Sequence, residues 1–168
     1  MPPSRKNIVL TGMPAVGKST IGVLLAKCLG MAFIDTDIVI QTAEQKTLQA
    51  LIATHGLQRF CDLEAHHICA LDCTNTVIAT GGSVVYRERA MQHLAVAGRV
   101  VYLEIDLASL ESRLNDINAR GVVCSPGQTL ADLYAERLLL YRKTAHLIIN
   151  AAGATPDQLV GRILAQLA

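Results

Sequence analysis

The run Gly12-Met13-Pro14-Ala15-Val16-Gly17-Lys18-Ser19-Thr20 decides how the rest of the chain is read. Its spacing is G-x-x-x-x-G-K-[ST]. Before it, Asn7-Ile8-Val9-Leu10-Thr11 is an apolar run of strand length. After it, Ile21, Leu24, Leu25, Cys28 and Leu29 recur at helical intervals, and Gly30 stands where a helix C-cap belongs. Strand, glycine loop and helix in this order aim a nest of backbone N–H groups, at the positive end of a helix dipole, toward one spot. Such a nest takes an anion, and the lysine directly after the second glycine makes a polyphosphate the fitting one.

Gly12 and Gly17 are free to adopt backbone angles that side chains forbid. With Ala15, Val16 and Thr20 they form the expected phosphate cradle. Lys18 supplies a mobile cation for the β- and γ-phosphates, and Ser19 offers a hydroxyl to Mg²⁺. A nucleotide and a divalent cation are therefore the expected ligands.

At 168 residues, 51% of them hydrophobic and 17% charged, the chain has the composition of one globular domain spanning 1–168. A net charge of +1 gives no electrostatic case for nucleic acid or an anionic membrane surface. Aromatic residues are 4% and tryptophan is absent, so base-stacking platforms are not expected either. The five cysteines, at 28, 61, 69, 73 and 124, are odd in number and mostly lie in apolar helical patterns, which favours reduced thiols. The basic start Arg5-Lys6 is followed only by Ile8-Val9-Leu10, too short for a signal-peptide core. A cytoplasmic protein, acting as a monomer on a small molecule, is the expectation.

Further strand-like runs are 31–35, 76–80, 99–103 and 147–150. Helical patterns cover 47–54, 60–72, 87–97, 107–116, 129–146 and 156–167. Continuous Val/Ile/Leu strands alternating with helices predict a doubly wound α/β fold, a parallel sheet covered on both faces. Ligands of such sheets lie beyond the carboxyl ends of the strands. There the sequence offers the phosphate loop, Asp35-Thr36-Asp37, Gly81-Gly82-Ser83, and Glu104 with Asp106.

Asp35 and Asp37, one residue apart, would point to the same side of an extended chain. One suits the waters of a metal ion, the other an acceptor hydroxyl. The competing structural role is an N-cap, since Asp37 opens a helical stretch. Glu104 and Asp106 are read as a cap at the start of the next helix. His66, Cys69 and Cys73 share a helix face but make a poor tetrahedral set and are read as packing residues.

Together, Gly12–Thr20, Phe33-Ile34-Asp35-Thr36-Asp37, Ala79-Thr80-Gly81-Gly82 and Arg137-Leu138-Leu139-Leu140-Tyr141 resemble shikimate kinase over nearly the whole chain. The resemblance implies a three-layer P-loop fold with a five-stranded parallel sheet of order 2-3-1-4-5. It implies ATP with Mg²⁺ as donor, and phosphorylation of a ring hydroxyl of shikimate. Lys18 would bind phosphates, Ser19 and Asp35 would serve the metal, and Asp37 would hold the acceptor hydroxyl as the base. Gly81 and Gly82 would touch the acceptor, Arg113 would stack on adenine, and Arg120 would neutralise the transferring phosphate. Arg137 would clamp the acceptor carboxylate. The acceptor segment is about 37–72, and 117–128 would be a lid closing during turnover.

The chain departs from that pattern at three places. Cys61 stands in Phe60-Cys61-Asp62-Leu63-Glu64 where the family carries a second carboxylate-binding arginine. Ser83 replaces a third glycine, and the lid reads Arg120-Gly121-Val122-Val123 in place of Arg-Pro-Leu-Leu. A thiol does not replace a bidentate guanidinium. Two alternatives to shikimate phosphorylation therefore stay open: a kinase for another polyol or hydroxy acid, and a nucleotide-binding regulator without kinase activity.

Overall fold

The computed structural model describes residues 6–114, 122 and 124–167 of the chain. Its strands are β1 (Asn7–Thr11), β2 (Ala32–Asp35), β3 (Thr76–Ala79), β4 (Gly98–Glu104) and β5 (Leu147–Asn150). Its helices are α1 (Lys18–Leu29), α2 (Thr36–Glu44), α3 (Leu48–Cys69), α4 (Glu88–Ala97), α5 (Leu107–Arg113), α6 (Leu130–Thr144) and α7 (Pro156–Leu167), and a 3₁₀ turn spans Gly82–Tyr86. The strands form one sheet of order β2-β3-β1-β4-β5, with every neighbouring pair parallel.

Burial explains the strand sequences. β1 is buried throughout, and Val100, Val101, Tyr102 and Leu103 of β4 are fully enclosed, because helices cover both faces of the sheet's centre. The edge strands β2 and β5 are only partly buried and carry the polar ends Asp35 and Asn150. Asn7 ties the sheet's lower end together: its side chain donates to Cys73 O at 2.7 Å and accepts from Thr76 N at 3.0 Å.

Two local expectations are corrected, both at helix starts, and a third is met. The two helical stretches expected at 47–54 and 60–72 are present as the two arms of α3, joined at a kink where Gly56 leaves helical angles (φ 75°, ψ 167°). The cap of α2 is Asp35, which accepts from Asp37 N at 3.0 Å, so Asp37 lies in the first helical turn and the chain from 35 to 37 is not extended. Finally, only Asp106 caps α5, accepting from Ser109 N at 2.8 Å, whereas Glu104 pairs with Arg142 at 2.7 Å. Among the described residues, no helix is long and apolar enough to cross a membrane.

The phosphate loop, Asp35 and the Thr80-Gly81-Gly82 run follow β1, β2 and β3, adjacent in the sheet, so one edge of the sheet gathers all three. A second apolar cluster, Ile40, Leu51, Phe60 and Cys61, joins α2 to α3 beside it.

Candidate active site

The loop after β1 uses left-handed backbone angles at Gly12 (φ 145°), Ala15 (φ 63°) and Gly17 (φ 103°). At Gly12 the need is also steric, since a Cβ there would stand 2.8 Å from Leu103 O. Gly17 precedes α1 with no side chain capping the helix, so its first N–H groups face the loop interior. Lys18 is buried and folds back over the loop, donating to Gly12 O and Met13 O at 2.8 Å each. Burial pulls its pKa down to about 8, against the upward pull of Asp37.

Ser19 and Asp35 meet at the mouth of this loop, with Ser19 Oγ donating to Asp35 Oδ2 at 2.5 Å. A hydroxyl and a carboxylate converging beside a phosphate cradle are an oxygen donor set that fits Mg²⁺. Arg113 reaches the loop from α5, its Nη1 donating to Val16 O at 3.2 Å; Val16 itself is buried under the loop.

A cleft of about 500 Å³ opens here. Pro14, Ala15, Gly17, Lys18, Ser19 and Thr20 line one side; Asp37, Thr80, Gly81, Gly82, Ser83 and Arg137 line the other. Burial, then the neighbouring Asp35, raises the Asp37 pKa, and Lys18 opposes that rise. Gly81 N donates to Thr36 Oγ1 at 3.2 Å, which fixes the backbone opposite the loop. Arg137 is fully enclosed. Its Nε donates to Tyr86 Oη at 3.0 Å and its guanidinium lies 5.0 Å from the Tyr86 ring centre. One turn on, Tyr141 donates to Gly82 O at 2.6 Å and stacks on Tyr102 at 4.9 Å. Thus α6 anchors the glycine run and delivers a cation to the same wall.

Cys61 is not part of that wall. It is 4% exposed in the α2–α3 apolar cluster and faces a separate small pocket with Tyr86, Arg87 and Cys124. Burial raises its thiol to about 11. Arg120 and Gly121 lie outside the described residues, as do 117–119 and 123 of the expected lid, whereas Val122 lines the cleft.

Sequence reasoning missed Tyr86 altogether, and it quoted Thr36 and Glu64 within their motifs without giving either a role; Glu64 is the important case. Glu64 is 2% exposed, accepts from Ser83 Oγ at 2.6 Å through Oε2, and leaves Oε1 without a hydrogen-bond partner among the described residues. No local pattern announces such a contact between residues 19 positions apart.

The phosphate cradle at the end of β1, the serine–aspartate pair and a second polar wall across one cleft are the fold and site of a P-loop kinase for small molecules. The shikimate kinase family model matches residues 14–168. A shikimate kinase of Clostridium botulinum is 36% identical over 162 residues, 95% of each chain. Shikimate kinase 2 of an Enterobacter species is 33% identical over 165 residues, 95% of this chain and 94% of the other. Among solved structures, the Acinetobacter baumannii shikimate kinase in complex with shikimate superposes with a TM-score of 0.89 at 30% identity, covering 97% of this chain and 93% of that one. The Aquifex aeolicus shikimate kinase gives 0.82 at 28%, covering 96% and 95%. The chain belongs to the shikimate kinase family.

Proposed function

We propose that this chain transfers the γ-phosphoryl group of ATP to a ring hydroxyl of shikimate, giving shikimate 3-phosphate and ADP. The observation that carries the assignment is a single cleft with the phosphate loop on one wall and Asp37, Gly81, Gly82 and Arg137 on the other. Donor and acceptor sites face each other across a gap sized for a small ring.

The cradle from Gly12 to Thr20 holds the triphosphate through backbone N–H groups and the α1 dipole. Lys18 exchanges its two loop carbonyls for phosphate oxygens and neutralises charge on the transferring group. Ser19 and Asp35 would hold Mg²⁺, which when bound supplies further charge neutralisation on the phosphates. Arg137 binds the acceptor carboxylate, and the Gly81–Gly82 backbone seats the ring. Asp37 accepts the proton from the acceptor hydroxyl as its oxygen attacks the γ-phosphorus and ADP leaves. Arg113 borders the loop where the adenosine would lie, and Arg120 is assigned to the transferring phosphate. The lid role of 117–128 is part of the same reading.

The same reading takes the chain as a monomer built as one domain over 1–168. It places the reaction in the cytoplasm, where the reduced thiols read from the cysteine pattern would persist. ADP release measured by a coupled assay tests the assignment: shikimate should be turned over with a clear preference over quinate and gluconate. ATP binding without turnover of any of the three would reject it.

A further inference from the structure

Among the described residues, Glu64 is the one acid that is fully enclosed, and the reaction outlined above gives it no task. Ser83 donates to its Oε2, while its Oε1 is buried without a hydrogen-bond partner. That orphaned oxygen sits against the acceptor wall. A Cβ added at Gly81 would collide with it and would also stand 2.9 Å from Asp37 Oδ1. The charged and titratable groups that act on Glu64 electrostatically are Lys18 of α1, Asp37 of α2, Cys61 of α3, and Arg137 and Tyr141 of α6; in space the link is the glycine pair, since Gly81 abuts Glu64 Oε1 and Gly82 abuts Arg137 Nη1.

An enclosed carboxylate with an unpaired oxygen is costly, whereas the neutral acid is tolerated. The two forms also leave Arg137 in different states. Ionised Glu64 offsets the guanidinium charge and repels an incoming anion; neutral Glu64 does neither. We propose that Glu64 is a proton-dependent positioning residue for the acceptor: as a neutral acid held by Ser83 it leaves the charge of Arg137 to the acceptor carboxylate, and as a carboxylate it takes that charge away. The inference rests on the reading of the acceptor as shikimate. In support, burial first, and then Asp37, lift the Glu64 pKa to about 7, against the hydrogen bond from Ser83 and the charges of Arg137 and Lys18.

The test is the shikimate KM at saturating ATP, measured from about pH 6 to about pH 9. If only the protonated form binds, KM rises roughly tenfold per unit above the Glu64 pKa, since apparent affinity scales with the competent fraction. The slope should appear in KM rather than in kcat, and Glu64→Gln, neutral at every pH, should lose it. A merely structural Glu64 would leave the KM slope unchanged in the variant. Ser83→Ala removes a hydrogen bond that favours the ionised form, so its KM rise should begin at higher pH; this variant carries the test if Glu64→Gln does not fold. Turnover with a flat wild-type KM, an undiminished slope in Glu64→Gln, or an unmoved onset in Ser83→Ala would each overturn the inference and leave the kinase assignment standing. Absence of shikimate turnover at every pH would overturn both.

Discussion

Adding one methyl group at Gly81 is the sharpest test of how the acceptor wall is built. The backbone there (φ −63°, ψ 153°) is one that alanine adopts freely, so Gly81→Ala carries no conformational strain. By itself the change should stabilise by about 0.4–1 kcal/mol, through lost freedom in the unfolded chain. The new Cβ, however, would collide with Glu64 Oε1 and approach Asp37 Oδ1 to 2.9 Å. Glu64 is tied to Ser83, and the Gly81 amide is tied to Thr36. Relief must therefore come from the Glu64 carboxylate, at the expense of its bond to Ser83, and from Asp37. Overpacking of this kind costs about 1–3 kcal/mol. The loss exceeds the gain, leaving a net destabilisation of about 1–2 kcal/mol. For a domain of this size that lowers Tm by roughly 2–8 °C. Activity should fall further, because misplacing a proton-accepting carboxylate by about 1 Å costs on the order of 100-fold. Thermal unfolding and the coupled ADP assay read the two effects. Gly161→Ala, in α7 with open space around the position, is the control and should stabilise by up to about 1 kcal/mol. Wild-type Tm and kcat in Gly81→Ala would refute the packing argument.

Removing the buried guanidinium in Arg137→Met should cost about 2–5 kcal/mol of acceptor binding and so raise the shikimate KM by roughly thirtyfold or more, while ATP KM changes little; parallel initial-rate curves for the two substrates check this. Lys18 gives the donor site its own pH dependence. Its pKa of about 8 means that above this pH the free protein increasingly lacks the charge that binds phosphate, so nucleotide affinity falls as pH rises. Calorimetry in buffers of different ionisation heat should detect proton uptake on binding near pH 8, and Lys18→Met should show none. Glu64 should also appear in stability. Its pKa is raised from 4.5 to about 7, so the folded state binds more protons in that window and stability falls as pH rises through it. Glu64→Gln should escape that fall, gaining on the order of 3 kcal/mol relative to wild type between pH 4.5 and pH 7 in urea titrations; equal pH slopes for the two proteins would contradict the assigned burial.

What the residues alone determined was whatever depends on near neighbours in the chain. The phosphate loop is legible because the left-handed angles at Gly12 and Gly17 and the helix start at Lys18 are consequences of consecutive residues. The order of strands and helices is legible because a strand buried on both faces must be apolar without interruption, as β1 and β4 are. Even there the backbone decided details: Asp35, not Asp37, caps α2, since the turn begins one residue after the strand ends. The acceptor side is different, because its members come from α2, α3, α6 and the turn after β3. Cys61 falls into the apolar cluster off the cleft, and Glu64, three residues on, turns toward Gly81 and Ser83. Neither outcome follows from helical periodicity, which leaves open what each face will meet. Only the packing of α3 against the glycine run decided it, by enclosing one carboxyl oxygen where no donor among the described residues reaches it.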